Sequence, residues 1–301
     1  MSETEPVPGR CGLVAIVGRP NVGKSTLLNV LVGEKLSIVT DKPHTTRQRV
    51  LGVLNRGQHQ AVFIDTPGHA RRTARVLHRL MARQIHQALD ECDVALLVVE
   101  AGRITGQDRA LIEIVRAKLD RTFLVINKID TLASKIELLP TLERLSELPF
   151  AAFIPIAAKT GENLERLVEE VVARLPQAPA LFPQGMVTDR DLAFRIAEVI
   201  REKLMTLVHQ EVPYGLTVEV EHLGHNDEGQ RLIHAIVWIE RESQKKIVIG
   251  KAGGVLKEAG TLARQELRGL IGERVHLELW VKVREHWADS ERELSRLGFE
   301  V

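Results

Sequence analysis

Gly18-Arg19-Pro20-Asn21-Val22-Gly23-Lys24-Ser25 brings together, in eight consecutive positions, the groups that a nucleotide's phosphates require. Glycines at 18 and 23 let backbone N–H groups converge on a β-phosphate, and the helix expected to follow adds its free N-terminal donors. Lys24 can reach the β/γ oxygens, and the Ser25 hydroxyl is placed for Mg²⁺. The expected contact set is Gly18, Asn21, Val22, Gly23, Lys24, Ser25 and Thr26. A plain glycine turn before a helix would not require Lys-Ser at its end.

Two further clusters follow at strand ends. Asp65-Thr66-Pro67-Gly68 closes the apolar run Ala61–Ile64. An Asp there can hold Mg²⁺ through water, and the Gly68 N–H can meet a γ-phosphate, although the same four residues also make an ordinary turn. Asn127-Lys128-Ile129-Asp130 closes Phe123–Ile126. The Asp130 carboxylate can accept from guanine N1–H and its exocyclic amine, a donor pair adenine lacks. The Asn127 amide can address the other edge, and the Lys128 stem can lie along the ring. Together the clusters predict GTP and GDP as ligands, in preference to ATP. Between the first two lies the polar segment Thr40–Arg47, where a hydroxyl could complete Mg²⁺ coordination when the γ-phosphate is present, or where the chain is simply a solvated loop.

The elements that would position these clusters are legible as alternating apolar runs and helical patterns. Strands are expected at 12–17, 50–56, 60–65, 93–99, 122–127 and 152–156, and helices at 24–32, 74–89, 107–118, 132–146 and 162–174. That rhythm predicts an α/β domain, a mixed sheet covered by helices, over 11–175, after a flexible tail at 1–10. The three prolines Pro176, Pro179 and Pro183 mark 176–186 as a stiff linker. Residues 187–301 have another order: helix 189–208, strands 216–222 and 231–240, a short helix at 243–249, a turn, helix 254–270, strand 275–283 and a final turn or two at 289–297.

Composition narrows the classes. With 301 residues there is chain for two cores, and a net charge of +1 excludes a polycation or an acidic tail. Two cysteines, Cys11 and Cys92, read as core thiols in a reducing compartment, and no apolar run is long enough to span a membrane. The expectation is a soluble, cytoplasmic monomer with, at most, peripheral contact to the inner face of the cell membrane.

The second half carries its own motif, Ile249-Gly250-Lys251-Ala252-Gly253-Gly254-Val255-Leu256. A G-x-x-G turn between helices admits a nucleic-acid backbone, though a structural helical hairpin would also use one. Over 181–301 there are 17 Lys/Arg against 20 Asp/Glu, a net of −3, so no broad cationic face exists. The window 241–257 differs, with Arg241, Lys245, Lys246, Lys251 and Lys257 against Glu242 alone. Binding is therefore expected in one groove, walled by Ile249, Val255 and Leu256, with single-stranded RNA as ligand.

With these motifs in hand, the chain resembles the Era family of bacterial ribosome-assembly GTPases over nearly all of residues 10–300. The likeness rests on the GRPNVGKS loop, on Thr45-Thr46-Arg47 with DTPG and NKxD, and on the element order of the second half, which is similar to a KH domain of type II. The resemblance implies a P-loop GTPase domain followed by a smaller α+β KH domain, with Thr46 rather than Thr45 as metal ligand. It also implies that the Ala157-Ala158-Lys159 backbone closes over guanine, and that Asn21 helps to hold K⁺. Families related to Era usually have serine where this chain has Ala157, so a supporting hydroxyl is missing here.

The function implied is a GTP-hydrolysing switch that binds single-stranded 16S rRNA near its 3′ end and acts in maturation of the small (30S) subunit. Lys24, Thr46, Gly68 and Asn21 would serve hydrolysis. The competing expectation is a signalling or membrane-associated switch working through protein partners. His69 departs from the family, which usually has an apolar residue there; translational GTPases carry histidine. It is read as a solvent-facing or inter-domain residue. His209, His222, His225 and His234 are not read as a metal site, and Trp238, Trp280 and Trp287 are read as packing residues.

Overall fold

The computed structural model describes residues 9–43, 45–69, 75–208 and 212–300. They fall into two compact units, one holding residues 9–37, 46–69 and 81–189, the other holding 38–43, 45, 75–80, 190–208 and 212–300.

The first unit is built on strands β1 (Cys11–Val17), β2 (Val50–Arg56), β3 (His59–Asp65), β4 (Val94–Glu100), β5 (Thr122–Asn127) and β6 (Ala152–Pro155). They form a six-stranded sheet in the order β2-β3-β1-β4-β5-β6. Only β2 runs antiparallel to its neighbour; the other pairs are parallel. Helices α1 (Lys24–Val32), α2 (Val76–Glu91), α3 (Gly106–Val115), α4 (Leu139–Leu145) and α5 (Leu164–Arg174) connect or follow them. The central strands are continuous apolar runs because both of their faces are covered: Val14, Ala15, Leu96, Leu97, Leu124 and Val125 are wholly buried. Asp65, Glu100 and Asn127 end β3, β4 and β5, so all three emerge at the carboxyl ends of parallel strands on either side of β1, where an open α/β sheet places its ligand.

Expected elements and observed ones differ where local chemistry interrupts a pattern. The helix expected at 107–118 stops at Val115 and continues as a 3₁₀ stretch, Arg116–Arg121, broken by a non-helical Lys118. The helix expected at 132–146 is two pieces, a 3₁₀ turn at Lys135–Leu138 and then α4, and a separate 3₁₀ turn at Ile129–Thr131 precedes them. Ser134 accepts from the Ile136 N–H and starts a new turn, and Pro140, lacking an N–H, suits the first turn of α4. The start expected at 74 for α2 lies outside the described residues.

The stretch with three prolines is bonded into the first unit. Gln60 holds it, accepting from the Leu181 and Phe182 N–H groups at 2.9 Å and donating to the Phe182 carbonyl at 2.8 Å, and Val53 N–H donates to the Val187 carbonyl. Gly9 and Arg10 also carry backbone bonds, Ala178 N–H to the Gly9 carbonyl and Gln60 N–H to the Arg10 carbonyl, so ordered chain begins before residue 11. Residues 1–8 of the expected tail lie outside the described residues.

The second unit contains α6 (Leu192–Leu207), β7 (Leu216–His225), β8 (Arg231–Ile239), α7 (Glu242–Ile249), α8 (Gly254–Ile271), β9 (Val275–Val283) and α9 (Glu291–Arg296). Its three strands lie in chain order, β7 antiparallel and β9 parallel to β8. β7 runs three residues past its expected end, with a register shift between Val220 and His222. Ile233, Ala235, Val237 and Ile239 alternate inward from β8 onto Ile200, Leu204, Ala263 and Leu267, the apolar stripes of α6 and α8. Trp287 is fully buried, donating Nε1–H to the Gly215 carbonyl, and Trp238 is buried, whereas Trp280 is 39 % exposed. No helix among the described residues is long and apolar enough to cross a membrane.

Candidate functional site

Between β1 and α1 the chain wraps into a nest. Asn21 and Gly23 are left-handed, with φ of 64° and 97°, and no side chain caps α1, so its first N–H groups remain available to an anion. Gly18 and Val22 belong to this loop, Val22 fully buried, with Thr26 on the first turn of the helix. Lys24 is 6 % exposed and donates to the Arg19 carbonyl at 3.1 Å, which folds its ammonium back over the loop. Burial lowers its pKa to about 8 against the pull of Asp65.

Below the nest three oxygen-bearing side chains meet. Ser25 Oγ lies 2.9 Å from Thr46 Oγ1 and 2.7 Å from Asp65 Oδ2, and Thr46 Oγ1 lies 3.4 Å from the same carboxylate oxygen. Thr45 points elsewhere, pairing with Thr40 at 2.7 Å and with the Lys42 carbonyl. Asp65 is wholly buried, its other oxygen has no hydrogen-bond partner, and burial drives its pKa up. A buried, half-satisfied carboxylate beside two hydroxyls is an all-oxygen donor set that suits a hard divalent cation such as Mg²⁺. Among the described residues no group of three or more His, Cys, Asp or Glu could hold a metal, so the set depends on hydroxyls.

The Asp65–Gly68 turn rests on the loop. Thr66 Oγ1 donates to the Ile16 carbonyl, His69 N–H donates to the Gly18 carbonyl at 3.1 Å, and a Cβ on Gly68 would come within 2.9 Å of Pro20. His69 is half-buried, and burial, then the neighbouring His86, lowers its pKa. It lines a cavity of about 580 Å³ with Arg19, Arg103 and the start of α3.

Asn127 ties the remaining parts together. Its Nδ2 donates to the Val22 carbonyl at 2.8 Å and its Oδ1 accepts from the Ala158 N–H at 2.9 Å. Ala157 and Ala158 are buried and Lys159 is exposed. Lys128 is left-handed, φ 66°, and Asp130 follows in the next 3₁₀ turn with an exposed side chain. All three sequence clusters thus converge on one rim of the sheet. The motifs alone do not point to Glu100 and Asp108, which hold Arg19 and, through Glu100, Lys128.

In the second unit α7 and α8 are joined by the turn Gly250–Gly253. Gly250 adopts φ 75° and ψ 175°, where a side chain would strike Val255. Arg241, Lys246, Lys251, Ala252 and Lys257 are exposed; Lys245 is half-buried and lies 3.6 Å from Glu242. Ile249, Val255 and Leu256 are partly buried against the core, so they are as much packing as wall. Ile247, 44 % exposed on α7, is an apolar side chain beside the turn that the sequence pattern does not single out. Elsewhere in this unit buried Arg201 donates to the Thr45 carbonyl at 2.5 Å and is held by Glu198. His222 and His234 pack ring to ring and His225 meets Glu273, while His209 lies outside the described residues.

A P-loop GTPase unit followed by a KH unit is the class this fold and site define. The profile described as "50S ribosome-binding GTPase" matches residues 13–128 and that of the KH domain matches residues 211–288. The chain is 43 % identical over 300 residues to GTPase Era of Yersinia pestis, covering 99 % of this chain and 98 % of that one. The crystal structure of a single-residue variant of Aquifex aeolicus Era bound to GDP and AlF4⁻ aligns with a TM-score of 0.93 at 39 % identity, covering 97 % of this chain and all of that one. A structure of Era with MgGDPNP and nucleotides 1506–1542 of 16S ribosomal RNA aligns with a TM-score of 0.93 at 38 % identity, with 97 % and 100 % coverage. The chain belongs to the Era GTPase family, and it is a GTPase.

Proposed function

We propose that this GTPase binds single-stranded RNA at the 3′ end of 16S rRNA, in its GTP-bound state, and serves maturation and assembly of the 30S subunit. The observation that carries the reading is the pairing of a preassembled phosphate-and-base rim in one unit with an exposed GxxG turn in the other. The Era relative seen with 16S rRNA supports the choice of ligand. A switch acting only through protein partners would have no use for that turn.

Within the site, Gly18, Asn21, Val22, Gly23, Lys24 and Thr26 would cradle the phosphates. Ser25 and Thr46 would hold Mg²⁺ directly and Asp65 through water. The ion would draw charge from the β- and γ-phosphates as the bond between them breaks. Lys24 neutralises the same oxygens, and Gly68 N–H meets the γ-phosphate from the far side. Asn127, Lys128 and Asp130, with the backbone of Ala157, Ala158 and Lys159, would read guanine. Asn21, left-handed and at the loop's outer edge, is the position from which K⁺ would be held. In the KH unit, RNA would run over Gly250–Gly253 with Lys251 at its backbone and Arg241, Lys245, Lys246 and Lys257 flanking, its bases against Ile249, Val255 and Leu256.

The test is crosslinking of the full-length protein, with a non-hydrolysable GTP analogue, to total cellular RNA. Recovery of the 16S 3′ end on peptides from 241–257 is expected; crosslinks confined to other RNAs would refute the reading.

A further inference from the structure

Glu100 ends β4 directly beside Asn127 in the parallel register, and its two oxygens serve two different motifs. Oε2 pairs with Arg19 Nη2 of the phosphate loop, while Oε1 accepts from Lys128 Nζ at 3.0 Å. Arg19 is anchored a second time, its Nε 3.3 Å from Asp108 Oδ2. That carboxylate is wholly buried and fixed in turn by Thr105, whose N–H and hydroxyl donate to it at 2.8 and 2.6 Å. Burial alone would push the Glu100 carboxyl up, yet Arg19 and Lys128 hold it below its ordinary value, so it is ionised at neutral pH.

We infer that Glu100 is a positioning residue that fixes the phosphate loop and the guanine-reading Lys128 to each other, and so sets how long a bound guanine nucleotide stays. The Asn127–Val22 bond is a first tie between the two motifs. The Arg19–Glu100–Lys128 chain is a second, charged one on the same rim. A nucleotide touches both motifs at once, so it leaves only when their separation or tilt changes. Lys128 must also hold a left-handed backbone while its stem lies flat, and a fixed ammonium removes the rotamers that would lift it off the base. Glutamine at 100 has the same shape but only one acceptor, and its NH₂ would face one of the two cations.

The measurement is stopped-flow association and dissociation of fluorescent GDP and a GTP analogue on the full-length protein. The variants are Glu100→Gln, Arg19→Gln and the double variant, with thermal melts of each alongside. The expected result is dissociation faster by about tenfold in E100Q with association within about twofold. The double variant should dissociate no faster than the faster single variant, because both changes cut the same tie. Unchanged dissociation in E100Q, or effects of the two substitutions that simply multiply, would overturn the proposal. A role confined to stability would lower the melting temperature and leave the dissociation rate where it was. Should E100Q fail to fold, Lys128→Met keeps the stem, removes only the ammonium and faces the same criterion.

Discussion

The Asn127 side-chain amide donates to the Val22 carbonyl 2.8 Å away, joining the end of β5 to the phosphate loop across 105 residues of sequence. With its oxygen it accepts from Ala158, so a single side chain sets the spacing of three motifs. Asn127 is 2 % exposed, and truncating it leaves the Val22 carbonyl and the Ala158 N–H buried without partners. Asn127→Ala should destabilise the protein by about 1–3 kcal/mol for each orphaned group and weaken GDP and GTP together. Denaturant melts and equilibrium binding check this; a loss of affinity for one nucleotide only would contradict the bridging role.

Asp130 is exposed at the end of the Asn127–Asp130 motif, where we propose that it accepts from guanine. Asp130→Asn exchanges a carboxylate acceptor for an amide and should turn preference from guanine toward xanthine nucleotides. Binding of GTP, ATP and XTP to both proteins is the measurement, and an unchanged guanine preference would remove Asp130 from base reading.

Lys24 carries a charge that burial opposes, its pKa falling from 10.5 to about 8. Between those values the unfolded chain holds the proton and the folded chain does not, so the nucleotide-free protein gains stability as pH rises across that window. Below about pH 8 the whole penalty is present, and Lys24→Met lacks it. The variant should therefore be the more stable at pH 7, by up to about 3 kcal/mol, with the gap closing toward pH 10.5. Urea melts at both ends of the range test this, and a gap independent of pH would contradict it. The same variant should lose tight triphosphate binding.

His69 sits near the phosphate loop, but what it gives that loop is its backbone N–H. Burial favours its neutral form, and its side chain faces the cavity beside Arg19. His69→Ala should slow single-turnover hydrolysis by less than about tenfold, or about 1.4 kcal/mol in the barrier. A loss of about a hundredfold with GTP binding intact would make the histidine a water-positioning group.

The parts of the site that lie in consecutive residues are legible in sequence, since a nest, a strand end and a capless helix are local features. β2 at Val50–Arg56 and α1 at Lys24–Val32 fall where the apolar pattern places them. Glu100 is not legible as part of the site: a charged residue closing an apolar strand has many uses, and Arg19 lies 81 residues away. Three prolines likewise resemble a spacer until Gln60, a polar side chain 2 % exposed, is seen to bond the backbone of Leu181 and Phe182 between them. The broken helix before α4 shows the converse, with Ser134 and Pro140 in plain view but outweighed by the apolar spacing around them.

The central claim is that nucleotide state governs RNA binding at the GxxG turn. Lys251→Asp with Ala252→Asp keeps Gly250 and Gly253, and Ala252, already left-handed at φ 50°, is a position where Asp is the better-suited residue. Two negative charges then face an RNA backbone in a half whose net charge is −3 and offers little to mask them. The decisive measurement is a titration of single-stranded RNA from the 16S 3′ end at one salt concentration, on wild type and this double variant, each with a non-hydrolysable GTP analogue and with GDP. Tight binding by wild type with the GTP analogue, weaker binding with GDP and a large loss in the variant are predicted. Equal affinity in wild type and variant would remove the turn from RNA binding, and equal affinity of wild type in both nucleotide states would contradict the switch.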